Sequence, residues 1–145
     1  RFSLAANDPE ISRQVSRVLD RMWAAYAAKD LAGVMACFAP DQNLVAIGTG
    51  PDEVVVGAEN LAEAFKRDFA QAGDIAPLAT ADLAVQSNGG VAWVAAQARA
   101  QVGGRQFNGR LTAVLENRGG RWLIVQQHLS LPAPAQATGD SFPES

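Results

Sequence analysis

The stretch VAWVAAQARAQVGGRQFNGRLTAVLENRGGRWLIVQQHLS, residues Val91 to Ser130, decides the fold. It reads as three long strands, Val91–Val102, Arg105–Asn117 and Arg121–Ser130, separated only by Gly103-Gly104 and Arg118-Gly119-Gly120. Connections this short force neighbouring strands to run antiparallel, because a parallel crossover needs far more chain. Upstream, Asp8-Pro9-Glu10 supplies a capping carboxylate and then proline at the first helical position, where its missing N–H costs nothing. Ile11, Val15, Val18, Leu19, Met22, Trp23 and Tyr26 follow at three- and four-residue spacing, one apolar stripe along a helix over Pro9–Lys29. Asp30 caps a short second helix, Leu31–Phe38, and Leu61, Phe65, Phe69 and Ala72 form the stripe of a third, Ala58–Gln71. Leu44–Gly48 and Val54–Val56 read as short strands around a surface turn, and Asn88-Gly89 marks a hairpin from a strand within Ile75–Ser87 into the meander. The pattern predicts an α+β fold. Its curved antiparallel sheet wraps as a cone around the N-terminal and third helices and encloses a pocket.

The 145 residues suffice for one domain with its own core, read as residues 9–131. Residues 1–8 are an expected extension, and residues 132–145, rich in Pro, Ala, Gly and Ser, an expected flexible tail. No apolar run approaches membrane-spanning length, so the chain reads as soluble and globular. Its net charge is −3 and no basic stripe runs along it, since Lys66-Arg67 meets Asp68 at once. Nucleic acid and anionic membrane are therefore not expected partners. Cys37 is the only cysteine, which excludes an internal disulfide and a thiolate metal cluster. No phosphate loop or metal-spaced cluster is present, and no cofactor is expected. A cytoplasmic location is expected, although a chain opening on Arg1 rather than Met leaves room for a removed targeting segment.

The order helix, short helix, two short strands, helix, four long strands resembles the nuclear transport factor 2-like superfamily, and within it the SnoaL-like group. The residues that carry this are Ala27-Ala28-Lys29-Asp30-Leu31, Cys37-Phe38-Ala39-Pro40-Asp41, Ile47–Glu53 and Gly57–Leu61. Arg110–Leu115, Gly120–Val125 and His128-Leu129-Ser130 resemble the closing signature, which is also similar to the association domain of calcium/calmodulin-dependent kinases. The resemblance spans residues 9–131. It implies a cone that in different members hosts isomerases, dehydratases, cyclases, epoxide hydrolases, binding proteins and assembly modules. Function must therefore come from the site.

Strand parity assigns the faces. Phe107, Leu111, Ala113 and Leu115 form the more apolar face of their strand and should meet the helices. This places Gln127 in the pocket, with Arg110, Thr112, Val114, Trp122, Ile124 and His128 on the outer face. Thr112, Val114, Trp122 and Ile124 make an apolar row there, so these six are the expected homodimer interface. In Val91–Val102, packing alone points Trp93 and Gln97 outward. By resemblance to the kinase domain, Gln97 matches a pocket arginine and points inward, and the inward setting is preferred. The kinase domains' other pocket arginines fall at Ala113 and Leu129, implying a less cationic pocket here.

The expected ligand-binding residues are Trp23, Tyr26, Phe38, Phe65, Phe69, Trp93, Gln97 and Gln127, suited to a small hydrophobic or weakly polar ligand. Superfamily isomerases place an acid near the position of Thr112, and dehydratase-like members need more than the single His128. With no evident catalytic pair, the leading reading is a ligand-binding or oligomerising domain that is not an enzyme. The alternative is an isomerase, cyclase or hydrolase acting on a hydrophobic ring or polyketide-like substrate, with His128 or Tyr26 as acid/base.

Overall fold

Asp8 opens the first helix as its sequence predicts, its carboxylate accepting from the backbone N–H groups of Glu10 and Ile11 at 2.9 and 3.3 Å. In the structure, a computed structural model describing residues 7–102 and 105–144, helix α1 covers Pro9–Ala27, α2 Leu31–Met35 and α3 Ala58–Gln71. The strands are β1 (Val45–Ile47), β2 (Val54–Val56), β3 (Ala79–Asn88), β4 (Val91–Val102), β5 (Arg105–Arg118) and β6 (Arg121–Ser130). They form one curved, unclosed sheet in the order β2-β1-β6-β5-β4-β3. All neighbours are antiparallel except β1 and β6, which run parallel. Gly57, at φ 90°, turns the chain from β2 into α3, and a side chain there would press on the Gln42 carbonyl 3.1 Å away.

The core lies between α1 and the concave face of the sheet. Val15, Val18, Leu19, Met22 and Trp23 of α1 belong to one buried cluster with Ala92, Val94 and Ala98 of β4 and Leu111, Ala113 and Leu115 of β5. Alanine dominates the inner face of β4, leaving volume for the bulky stripe of the helix. α2 ends at Met35 rather than Phe38 because the next residues are drawn into the sheet. The Ile124 N–H donates to the Cys37 carbonyl at 2.9 Å, and the Ala39 N–H donates to the Ile124 carbonyl at 2.8 Å.

β6 corrects the parity assigned from sequence. Val114 faces Gln126 but Leu115 faces Ile124, so Val125 is an extra residue, a β-bulge that inverts which side chains point inward. Before the bulge Trp122 and Ile124 face the helices, 6% and 0% exposed. After it Gln127 and Leu129 share the face of Ala113 and Leu111. Trp122 and Ile124 are therefore core residues and not part of an outer apolar row. The Trp122 indole N–H donates to Gln14 Oε1 of α1 at 2.8 Å. The bulge sits where β6 changes its partner on the other edge, from Cys37–Ala39 to β1.

No shift interrupts the β4–β5 ladder, and the buried Val94, Ala96 and Ala98 fix the remaining parity. Trp93 and Gln97 consequently stand on the outer face, opposite Val114 and Arg110, which overturns the inward setting. The packing reading was correct because an alanine face is the only one able to accept α1. Among the described residues no helix is long and apolar enough to cross a membrane.

Ile124→Ala is expected to cost about 3 kcal/mol and Leu123→Ala, on the opposite face, under about 1 kcal/mol. Urea denaturation of the two variants checks this. A larger loss at Leu123 would restore the uninterrupted parity.

Candidate functional site

Where the helices leave the concave face uncovered, a hollow of about 280 Å³ opens between α1, α3, the β1–β2 end of the sheet and β6. Trp23 and Tyr26 reach it from one face of α1, Leu61, Phe65 and Asp68 from α3, and Gln127 and Leu129 from the stretch of β6 beyond the bulge. Phe38 closes one side. Tyr26 is the hub of the aromatic wall. Its ring meets Trp23 edge-on at 6.5 Å, Phe65 at 5.8 Å and Phe69 at 5.3 Å.

Polar groups interrupt this wall at few points. The Tyr26 hydroxyl donates to Asp68 Oδ2 at 2.9 Å. Burial, then the Asp68 hydrogen bond and nearby negative charge, push the Tyr26 phenol above its ordinary value, so it remains a neutral donor near neutral pH. Burial also pushes the Asp68 carboxyl up, against the Tyr26 hydrogen bond, while the Glu53 charge adds to the rise and Arg67 opposes it. Glu53 lies at the rim, accepting from the Gly50 N–H at 2.9 Å and from Arg67 at 3.4 Å. Of the three buried side-chain atoms without a hydrogen-bond partner among the described residues, two belong here: Trp23 Nε1, a donor, and Gln127 Oε1, an acceptor; the third is Thr80 Oγ1. Trp23 and Gln127 both line the hollow.

Five of the eight expected ligand residues therefore converge: Trp23, Tyr26, Phe38, Phe65 and Gln127. Phe69 stands behind them, stacked on Phe65 at 6.3 Å. Trp93 and Gln97 are on the far side of the sheet, where the Trp93 indole donates to Gln86 at 3.0 Å and Gln97 accepts from Arg99 at 2.9 Å. His128 is exposed on that outer face opposite Thr112, so it does not reach the hollow and cannot act there as acid or base. Arg110 shares the face and donates to Ser130 Oγ at 3.1 Å. Asp68 is the residue that sequence reasoning missed. Its signal was present: Leu61, Phe65, Asp68 and Ala72 share one helical face, so a carboxylate interrupts an apolar stripe. Among the described residues no three His, Cys, Asp or Glu side chains converge as metal ligands.

Residues 15–134 match the SnoaL-like domain family. The chain belongs to that family. Among solved structures it is similar to an NTF2-like protein of unknown function from Pseudomonas putida, with 17% identity, TM-score 0.79 and 97% and 99% of the two chains covered. A protein of unknown function with a cystatin-like fold from Nostoc punctiforme gives 12% identity and TM-score 0.76 over 88% and 95% of the chains. A ketosteroid isomerase-like protein from Erwinia carotovora atroseptica gives 19% identity and TM-score 0.70 over 88% and 100%. Identities this low establish the cone fold and nothing finer. No curated protein matches the SnoaL-like chain by sequence.

The raised Asp68 carboxyl has a defined linkage sign. Its contribution to stability is complete below the ordinary aspartate value of about 3.9 and is lost as pH rises through the higher folded value. The thermal midpoint of the wild type minus that of Asp68→Asn should therefore rise as pH falls from neutrality toward about 4. A flat or falling difference would contradict burial of the carboxyl.

Proposed function

We propose that this SnoaL-like domain binds a small, flat, mostly apolar molecule in the hollow, with one polar end that both donates and accepts hydrogen bonds. The observation that carries this reading is the pair of orphaned buried atoms, the Trp23 N–H and Gln127 Oε1, on residues of a mostly aromatic and aliphatic wall whose other polar side chains are Tyr26, Asp68, Glu53 and Thr49. Both atoms are sealed from water, so a ligand meets them by turning the Trp23 and Gln127 side chains toward the hollow, and it would then relieve the roughly 1–3 kcal/mol that a buried polar atom without a partner costs. A hollow of about 280 Å³ sits at the small end of ligand sites and suits one or two fused rings.

2-Naphthol and naphthalene test this directly, because they share an aromatic frame and differ in one hydroxyl. The wild type should bind 2-naphthol about tenfold more tightly than naphthalene by calorimetry or fluorescence competition. Trp23→Phe and Gln127→Met should each erase most of that difference while leaving naphthalene affinity within about threefold. Equal affinity for both probes, or none for either, would remove the reading.

The Tyr26–Asp68 hydrogen bond favours a second reading, an isomerase, cyclase or hydrolase working on a ring substrate in the same hollow. Tyr26 would donate a proton and Asp68 accept one, and His128 would take no part. The two readings separate on Asp68→Asn, which removes turnover and spares 2-naphthol binding only in the second.

We also propose a homodimer through the outer sheet face. With Trp122 and Ile124 withdrawn to the core, its support is the shallow groove of about 280 Å³ around Trp93, bordered by Ala84, Ala95, Thr112 and Val114. Arg110 and His128 lie on the same face of the sheet. Sedimentation at micromolar concentration should give a dimer for the wild type and a monomer for Trp93→Arg. A monomeric wild type would end the proposal.

A further inference from the structure

Seven ion pairs are present among the described residues, and they are unevenly shared. Arg13, Arg67, Arg99 and Arg118 each face at least one carboxylate within 4 Å. Arg17, Arg21, Arg110 and Arg121 face none among the described residues, and all but Arg110 line one groove. That groove, about 760 Å³, runs between α1, the start of α2 and the start of β6. Arg17 and Arg21 are four apart and therefore on one face of α1, an arrangement of like charges that costs a few tenths of a kcal/mol in an isolated helix. Arg121 approaches from the opposite wall, its guanidinium donating to the Ala36 carbonyl at 3.5 Å.

Cys37, nearly fully buried, lines the same groove. Burial pushes the Cys37 thiol up, and the charges of Arg21 and Arg121 both pull it down. Among the described residues the one carboxylate on the groove is Asp30, which accepts from the Gly33 N–H at 3.0 Å and serves as the cap of α2. Small residues, Ala24, Ala25, Ala28, Gly33 and Ala36, leave the space between the walls open. In a chain of net charge −3, three guanidiniums against one carboxylate on one concavity are a local reversal of sign.

We propose that this groove binds a phosphoryl group, with Arg17, Arg21 and Arg121 as its ligands. A guanidinium presents a planar fork of donors that matches a pair of oxyanion oxygens, and it stays charged at any physiological pH. A phosphoryl dianion offers enough oxygens and charge to engage several forks together, whereas a single carboxylate is matched by one. The site is separate from the aromatic hollow. The two share no lining residue.

Calorimetric titration with inorganic phosphate, glycerol phosphate and acetate, at ionic strength held constant with sodium chloride, tests this. Phosphate should bind with a millimolar or tighter constant and acetate at least about fivefold more weakly. Arg21→Gln and Arg121→Gln should each weaken phosphate at least about fivefold, while Arg13→Gln, whose arginine is paired with Glu10 outside the groove, should leave it unchanged. All of these arginines are exposed, so the variants should keep the wild-type thermal midpoint in chloride alone. Glycerol phosphate binding as tightly as phosphate identifies an esterified phosphoryl group as the occupant, and weaker binding identifies the free anion. No binding above the chloride background, acetate binding equal to phosphate, or equal loss in Arg13→Gln would overturn the proposal.

Discussion

One extra residue in the last strand governs the interior of this molecule. β6 has to serve two neighbours on one edge, the Cys37–Ala39 segment and then β1, while keeping its ladder with β5 on the other. Val125 absorbs the mismatch. Because side chains alternate along a strand, a single inserted residue exchanges the two faces for everything beyond it. Trp122 and Ile124 can therefore fill the base of the core, and Gln127 and Leu129 still turn inward at the open end of the cone.

The functional consequence is a division of the concave face. At one end, alanines on β4 and large aliphatic residues on α1 close the space to a dry core. At the other, α1 and α3 diverge over the short β1–β2 ribbon, and aromatic rings wall a hollow they do not fill. The polar groups described there are few and come from α1, α3, β6 and the turn between β1 and β2. Their positions relative to one another follow from the packing of the cone and not from any local motif.

The fold was legible in the sequence to within a few residues at the helix ends and strand limits, because glycine turns, helix caps and apolar periodicity all act locally. The aromatic wall of the hollow was legible for the same reason, since Trp23, Tyr26 and Phe65 lie on stripes that must face the sheet. The faces of β6 were not. Trp122-Leu123-Ile124-Val125 is a run of four apolar residues with no alternation to set parity, and the bulge within it answers to a pairing with residues some ninety positions earlier in the chain. Analogy with another protein's pocket points Trp93 and Gln97 inward, whereas the alanine face of the same strand has the stronger physical claim. The cationic groove was invisible for a related reason, as Arg17, Arg21 and Arg121 come together only through tertiary packing.

The central claim, a ligand seated against the Trp23 indole in the hollow, can be read from the three indole N–H resonances of the protein. Trp23 has a buried and unpartnered N–H, Trp93 donates to Gln86 on the outer face, and Trp122 donates to Gln14 in the core. In an amide-resolved nuclear magnetic resonance titration with 2-naphthol, the account predicts a saturable shift of the Trp23 indole with the other two nearly still. A shift confined to Trp93, or no saturable shift at Trp23, would contradict it.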